Sequence, residues 1–112
     1  MAGHVPAAGD IVWAELSPTL GPEQSGRRPV LVVSPRRYNE LSTRVLVCPI
    51  TSVVRGWPME VLLPSSTKTV GCVLVDQIRS IDRAARIFRH IEAVPEDVLQ
   101  EVLATLASLL RI

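Results

Sequence analysis

Short apolar runs rich in valine and isoleucine recur along the chain at residues 11–16, 30–33, 45–50, 60–63, 72–78 and 87–91, bounded by Pro, Gly, Ser or Thr. Branching at Cβ crowds a helix and suits a pleated surface, so runs of this length and spacing predict a small antiparallel sheet or barrel. Between the second and third runs, Ser34-Pro35-Arg36-Arg37-Tyr38-Asn39 offers a capping serine, a proline at the first helical position and an asparagine end. It predicts one or two helical turns. From Pro95 the period changes: Val98, Leu99, Val102, Leu103, Leu106, Leu109 and Leu110 recur at three- and four-residue spacing, opposite Gln100, Glu101, Thr105 and Ser108. With Glu96 and Asp97 at its positive end, this is an amphipathic C-terminal helix. Its apolar stripe is expected to pack on the sheet, and its leucine density leaves room for a second face in a dimer. The predicted organisation is a flexible tail over residues 1–8 followed by a single domain over residues 9–112, mainly β with short helices.

Composition narrows the class. A 112-residue chain with 47% hydrophobic and 21% charged residues is a single folded domain and excludes disorder. Its apolar stretches fall far short of the about 20 residues that span a bilayer, and its first ten residues lack the basic start and apolar centre of a signal peptide, so a cytoplasmic protein is expected. Cys48 and Cys72 lie in apolar runs without a cysteine or histidine at metal spacing, and read as small buried hydrophobes.

The net charge of +1 conceals a segregation. Six arginines lie between Arg27 and Arg55 against the single Glu40, and four between Arg79 and Arg89 against the single Asp82, while Glu92, Glu96, Asp97 and Glu101 crowd the C-terminal part. Brought together, the two basic segments would form a stripe suited to a nucleic-acid backbone; apart, they are a solvated arginine-rich surface.

The most distinctive polar segment is Gly21-Pro22-Glu23-Gln24-Ser25-Gly26-Arg27-Arg28-Pro29, set between two apolar runs. Glycines at both ends permit sharp turns, and Pro29 biases Arg28 toward extended backbone. A guanidinium held at the start of a strand matches a phosphate, and Glu23 nearby offers a proton acceptor; the same pair also suits a surface ion pair. Other chemistry is scarce. His4 lies in the tail and His90 in a strand-like run, so a two-histidine ribonuclease mechanism lacks its players, and the carboxylates are scattered one per segment rather than in metal-binding spacing. RNA supplies its own nucleophile, the 2′-hydroxyl, so arginine, a hydroxyl and a carboxylate suffice to cleave it. Thr51 and Ser52, at the end of the third run, supply hydroxyls suited to phosphate contact or to capping a turn.

These residues fall into a recognisable series. Gly-Asp-Ile-Val-Trp at 9–13, Leu-Ser-Pro-Thr at 16–19, the loop at 21–29, Val-Leu-Val-Val-Ser-Pro at 30–35 with Tyr38-Asn39, Cys-Pro-Ile-Thr-Ser at 48–52, Gly-Trp-Pro-Met-Glu-Val at 56–61 and Asp-Gln-Ile-Arg-Ser-Ile at 76–81 occur in order. The chain thereby resembles the MazF/PemK toxins of toxin–antitoxin modules. The resemblance implies an SH3-like antiparallel barrel of MazF/Kid/CcdB type with a C-terminal helix, assembled as a homodimer. It implies a metal-independent, cofactor-free endoribonuclease that cleaves single-stranded RNA at short motifs to leave 2′,3′-cyclic phosphate and 5′-hydroxyl ends. A MazE-like antitoxin is the implied protein partner, its acidic, partly hydrophobic segment competing with RNA for the basic groove and the pair forming a DNA-binding complex; no membrane is involved. Carried over residue by residue, Arg28 and Thr51 match the essential arginine and threonine, with Glu23 as candidate base. Gln24, Arg27, Ser52, Arg55, Trp57 and Gln77 fall on RNA-contacting positions, and Trp57 either stacks on a base or plugs the barrel mouth. Two departures stand out: Pro22 replaces a small hydroxyl residue, and Leu74 stands where one branch carries an arginine, leaving Asp76 without that partner. Two alternatives on the same fold do no chemistry: a gyrase-poisoning toxin, whose tryptophan-containing tail is not matched by Leu110-Arg111-Ile112, and a plain SH3-like binding module.

Overall fold

The computed structural model describes residues 5–17 and 26–112. Seven strands form one antiparallel sheet: β1 Asp10–Glu15, β2 Arg27–Val32, β3 Arg44–Thr51, β4 Glu60–Leu62, β5 Cys72–Leu74, β6 Arg79–Asp82 and β7 Ile87–Ala93. Helix α1 Arg36–Leu41 precedes β3, the single turn α2 Arg83–Arg86 links β6 to β7, and α3 Glu96–Leu110 ends the chain. The pairing order is β4-β5-β3-β2-β1-β7, with β6 on the first half of β3. No ladder joins β7 to β4 or β6 among the described residues, so the sheet curls without closing.

The apolar runs are continuous because both faces of the central strands are covered. On one face Ile11, Leu31, Val33, Cys48, Ile50, Val61, Val73 and Val75 pack beneath Val98 and Val102 of α3. On the other, Val12, Ala14, Leu16, Val30, Val32, Val45, Val47 and Ile81 form a second core. Adjacent residues on β1, β2 and β3 thus belong to different cores. Leu109 and Leu110, at the far end of α3, remain half exposed.

Local structure departs from the sequence reading at three places. The run at 72–78 is not one strand: β5 ends at Leu74, a 3-10 turn covers Val75–Gln77, and β6 follows at Arg79–Asp82. Ser34 does not cap α1; its hydroxyl donates to Asn39 Oδ1 at 2.6 Å and accepts from the Leu46 N–H at 2.9 Å. Asn39 is fully buried and also donates to the carbonyls of Pro6 and Ser34, so it ties the N-terminal segment to α1. Residues 5–8, expected to belong to a flexible tail, are held there and by the Ala7 N–H to Asp10 carboxylate bond.

Candidate functional site

The ends of β2 and β3 meet where two residues of opposite character face each other. Val30 pairs with Pro49 and Val32 with Val47. Continuing that register by two residues toward the end of β3 sets Arg28 across from Thr51. Arg28 is half-buried, and its Nη1 donates to the Ile50 carbonyl at 3.4 Å, directing the guanidinium toward the end of β3. Thr51 Oγ1 accepts from the Val53 N–H at 3.2 Å. The hydroxyl therefore caps the turn after β3 and still has its own proton to donate.

Around this pair opens a cleft of about 680 Å³ lined by Arg28, Thr51, Ser52, Arg55, Trp57 and Gln77, with Glu60, Leu74 and Asp76 also on its wall. Gln77 reaches it from the 3-10 turn that interrupts the run at 72–78. Trp57 is 56% exposed, so it stands at the rim and does not plug the curl. Glu23 and Gln24 lie outside the described residues. The Gly26 N–H donates to Ser17 Oγ and the Gly26 carbonyl accepts from the Leu16 N–H.

Arg27 points elsewhere. It lies 3.5 Å from Glu15 and stacks over Phe88, with its guanidinium carbon 4.5 Å from the ring centroid. It lines a neighbouring cleft of about 460 Å³ together with Arg28, Trp13, Lys68, Thr69 and Arg89. Trp13 pairs with Pro29 of β2 on one side and Arg89 of β7 on the other, so the two basic sequence segments do meet here. Arg28 and Ser52 line both clefts and make them continuous.

Three residues that shape the site were not singled out from sequence. Glu60 accepts hydrogen bonds from the N–H groups of Arg55, Gly56 and Trp57. Gly71, at φ +123°, lets β5 approach the end of β3 so closely that an added Cβ would sit 1.9 Å from the Thr51 carbonyl oxygen. Glu92 accepts from the N–H groups of Lys68 and Thr69 and from the Thr69 hydroxyl, fastening the β4–β5 connection to β7. The acid-after-glycine spacing of Gly56 and Glu60 is the one local hint; the other two roles depend on long-range approach.

Burial alone would raise the Glu92 carboxyl, but the Lys68 and Thr69 donors and the Lys68 charge outweigh it and hold the group below the ordinary carboxylate value. A carboxyl depressed in the folded state stabilises above its unfolded pKa, and that contribution is lost as pH falls through the folded value. Glu92→Gln is therefore expected to lower the Tm at neutral pH, with the gap to the parent closing as the pH falls through and below the carboxylate range. Thermal unfolding from pH 7 to pH 3 measures this; a pH-independent gap would refute it. Burial, and secondarily the Asp76 charge, pushes the Cys48 thiol up to about 12, and burial followed by Glu60 raises Cys72, so both cysteines are protonated and buried. Among the described residues no three His, Cys, Asp or Glu side chains gather as a metal site, and no helix is long and apolar enough to cross a membrane. His90 sits in β7 with Nε2 3.3 Å from Asp10, away from the main cleft.

The family model of PemK-like, MazF-like toxins of type II toxin–antitoxin systems matches residues 7–110. The chain belongs to this toxin family. The endoribonuclease toxin MazF of Escherichia coli K12 is 42% identical to this toxin over 83 residues, covering 74% of each chain. The crystal structure of MazF from Deinococcus radiodurans superposes with a TM-score of 0.92 at 44% identity, covering 97% of this chain and 99% of that one. A MazE-MazF complex from the same organism superposes at 0.86 and 44% identity, covering 97% and 98%. In this toxin Leu74 is buried and Asp76 exposed, and both line the main cleft.

Proposed function

We propose that this toxin is a metal-independent endoribonuclease that cleaves single-stranded RNA at short sequence motifs, through attack of the 2′-hydroxyl on the adjacent phosphate. The observation that carries the reading is the convergence of Arg28 and Thr51 on one open cleft, with Gln77, Ser52, Arg55 and Trp57 around them. In the reaction the 2′-oxygen bonds to phosphorus and the bond to the 5′-oxygen breaks, leaving a 2′,3′-cyclic phosphate and a 5′-hydroxyl. Charge gathers on the non-bridging oxygens as the phosphorane forms. Arg28 neutralises it and protonates the departing 5′-oxygen, while Thr51 donates a hydrogen bond from its hydroxyl to a non-bridging oxygen. The resting arginine is already protonated and so cannot take up a proton, and Glu23 is assigned to accept the 2′-hydroxyl proton. Gln24, Ser52, Arg55, Trp57 and Gln77 hold flanking nucleotides, Trp57 by stacking on an unpaired base. Arg27 joins them from the adjoining basic cleft.

The toxin works as a cytoplasmic homodimer and is held inactive by a MazE-like antitoxin that competes for the same basic surface, a reading supported by the solved MazE-MazF complexes of the Deinococcus relative. Incubation of the purified protein with a long single-stranded RNA in excess chelator is expected to yield discrete fragments bearing cyclic phosphate and 5′-hydroxyl ends. Cleavage that requires added metal would overturn the mechanism, and the absence of fragments would leave a binding module.

A further inference from the structure

Residues 52–58 of the connection between β3 and β4 are exposed throughout, yet the backbone of residues 55–57 is organised around a single side chain. Glu60 Oε1 accepts from the N–H groups of Gly56 at 2.9 Å, Arg55 at 3.1 Å and Trp57 at 3.3 Å, and Oε2 accepts from Arg55 at 3.3 Å. The Glu60 N–H in turn donates to the Trp57 carbonyl at 2.9 Å. Three successive backbone donors curled about one point form a concave nest for an anion, and here the protein fills it with its own carboxylate. Glu60 itself is anchored, since it begins β4 and pairs with Leu74 of β5, another residue of the same cleft wall.

We propose that Glu60 is a positioning residue for substrate selection: it fixes the nest of residues 55–57 so that Arg55 and Trp57 meet the nucleotides beside the scissile phosphate. The proposal rests on the RNA-cleaving reading above. Glu60 lies on the cleft wall, but its oxygens are occupied by backbone donors, which fits a role in shaping the cleft more than a role in proton transfer. Arg55 and Trp57 belong to the connection after β3, whereas Arg28 and Thr51 belong to β2 and β3, so disturbing the nest is expected to alter binding of flanking bases more than the reacting groups. A charge-assisted acceptor is stronger than a neutral one, and its loss frees a loop that water already surrounds.

Glu60→Gln keeps the shape and one acceptor oxygen but turns amide hydrogens toward backbone donors. With a short oligoribonucleotide carrying the cleaved motif, the variant is expected to show KM raised about tenfold and kcat within about threefold of the parent, as loss of uniform binding requires. Fragment ends mapped on a long RNA should show weakened preference for the parent's motif. Glu60→Asp, which keeps the charge, should recover part of both effects. In a Trp13→Phe background, Trp57 emission should become more accessible to acrylamide in Glu60→Gln, a readout independent of activity. A folded Glu60→Gln protein with parental KM, motif preference and Trp57 quenching overturns the proposal, and so does a fall in kcat at unchanged KM, which would make the carboxylate a chemical participant. If the parent itself fails to cleave RNA, the functional reading falls; if the parent cleaves and the variants match it, only the positioning role falls.

Discussion

Arg28→Ala is expected to fold as the parent does and to lose RNA cleavage by a factor of about a hundred or more, as removal of a donor aimed at developing charge does elsewhere. That factor corresponds to about 2.7 kcal/mol of lost transition-state stabilisation. The substitution also removes the 3.4 Å hydrogen bond from Arg28 Nη1 to the Ile50 carbonyl, so stability is read separately from cleavage. Arg28→Lys is expected to recover only part of the activity, because an ammonium carries the charge but not the planar fork that grips two oxygens. Single-turnover cleavage of a short oligonucleotide, with the Tm measured on the same preparations, separates the two effects. A folded Arg28→Ala protein that cleaves within about threefold of the parent would remove Arg28 from the chemistry and with it the mechanism proposed for the cleft.

Gly71→Ala is expected to cost more stability than any other single methyl group added to the described glycines. Its φ of +123° is a conformation that side chains rarely adopt, and the new Cβ would lie 1.9 Å from the Thr51 carbonyl oxygen and 2.9 Å from Ser52 Cα. Backbone strain and overpacking each cost about 1–3 kcal/mol, so a loss of about 2–6 kcal/mol and a Tm lowered by roughly 10 °C or more are expected. The obstacle is backbone, so relief requires β5 to retreat or the end of β3 to shift. A shift of the end of β3 carries Thr51 away from Arg28. Cleavage assayed below the unfolding transition should therefore fall about tenfold, through a hydroxyl that remains present but is displaced. Gly56→Ala is the control: its φ of +78° is also positive, but nothing lies within 4 Å of the added carbon. It carries the backbone strain without the collision. A Gly71→Ala protein no less stable than Gly56→Ala would refute the close approach as the reason for glycine at this position.

The strands and the last helix were legible because burial leaves a periodic trace. Leu31 and Val33 face one core, Val30 and Val32 the other, and the run they make is apolar throughout. The helix from Glu96 to Leu110 showed the three- and four-residue spacing of a surface that packs along one side. Arg28 and Thr51 were legible as candidates through family motifs and as residues at strand ends. What did not show was how the run at 72–78 would break. Its residues are apolar or polar in an order that a single strand would also accept, and the turn at Val75–Gln77 is imposed by packing against β3 and α3. That turn is what delivers Gln77 to the cleft.

The scattered carboxylates carry the same lesson in a different form. Glu60 and Glu92 look alike in the sequence, each an acid in or beside an apolar run, with no partner in view. In the folded chain each binds backbone N–H groups of a connection, one three to five residues away and the other more than twenty. Ser34 and Asn39, expected to bound a helix, instead serve a buried hydrogen-bond network that reaches Pro6 and Leu46. Short polar side chains satisfy whichever backbone group the fold brings near, and local propensity does not name it.

The amino-acid sequence by itself determined which apolar runs supply the sheet, the amphipathic helix at the end of the chain, and the family to which the toxin belongs. Those follow from side-chain shape, from the periods of two and 3.6 residues and from motifs, all of which are local. Only the tertiary structure decided that Arg28, Thr51, Gln77 and the loop bearing Trp57 share one cleft, that Gly71 admits Thr51 to it, and that Glu60 shapes its rim. Those outcomes depend on strand register and on how closely two backbones approach, and both are set by the packing of the whole sheet rather than by any single segment of the chain.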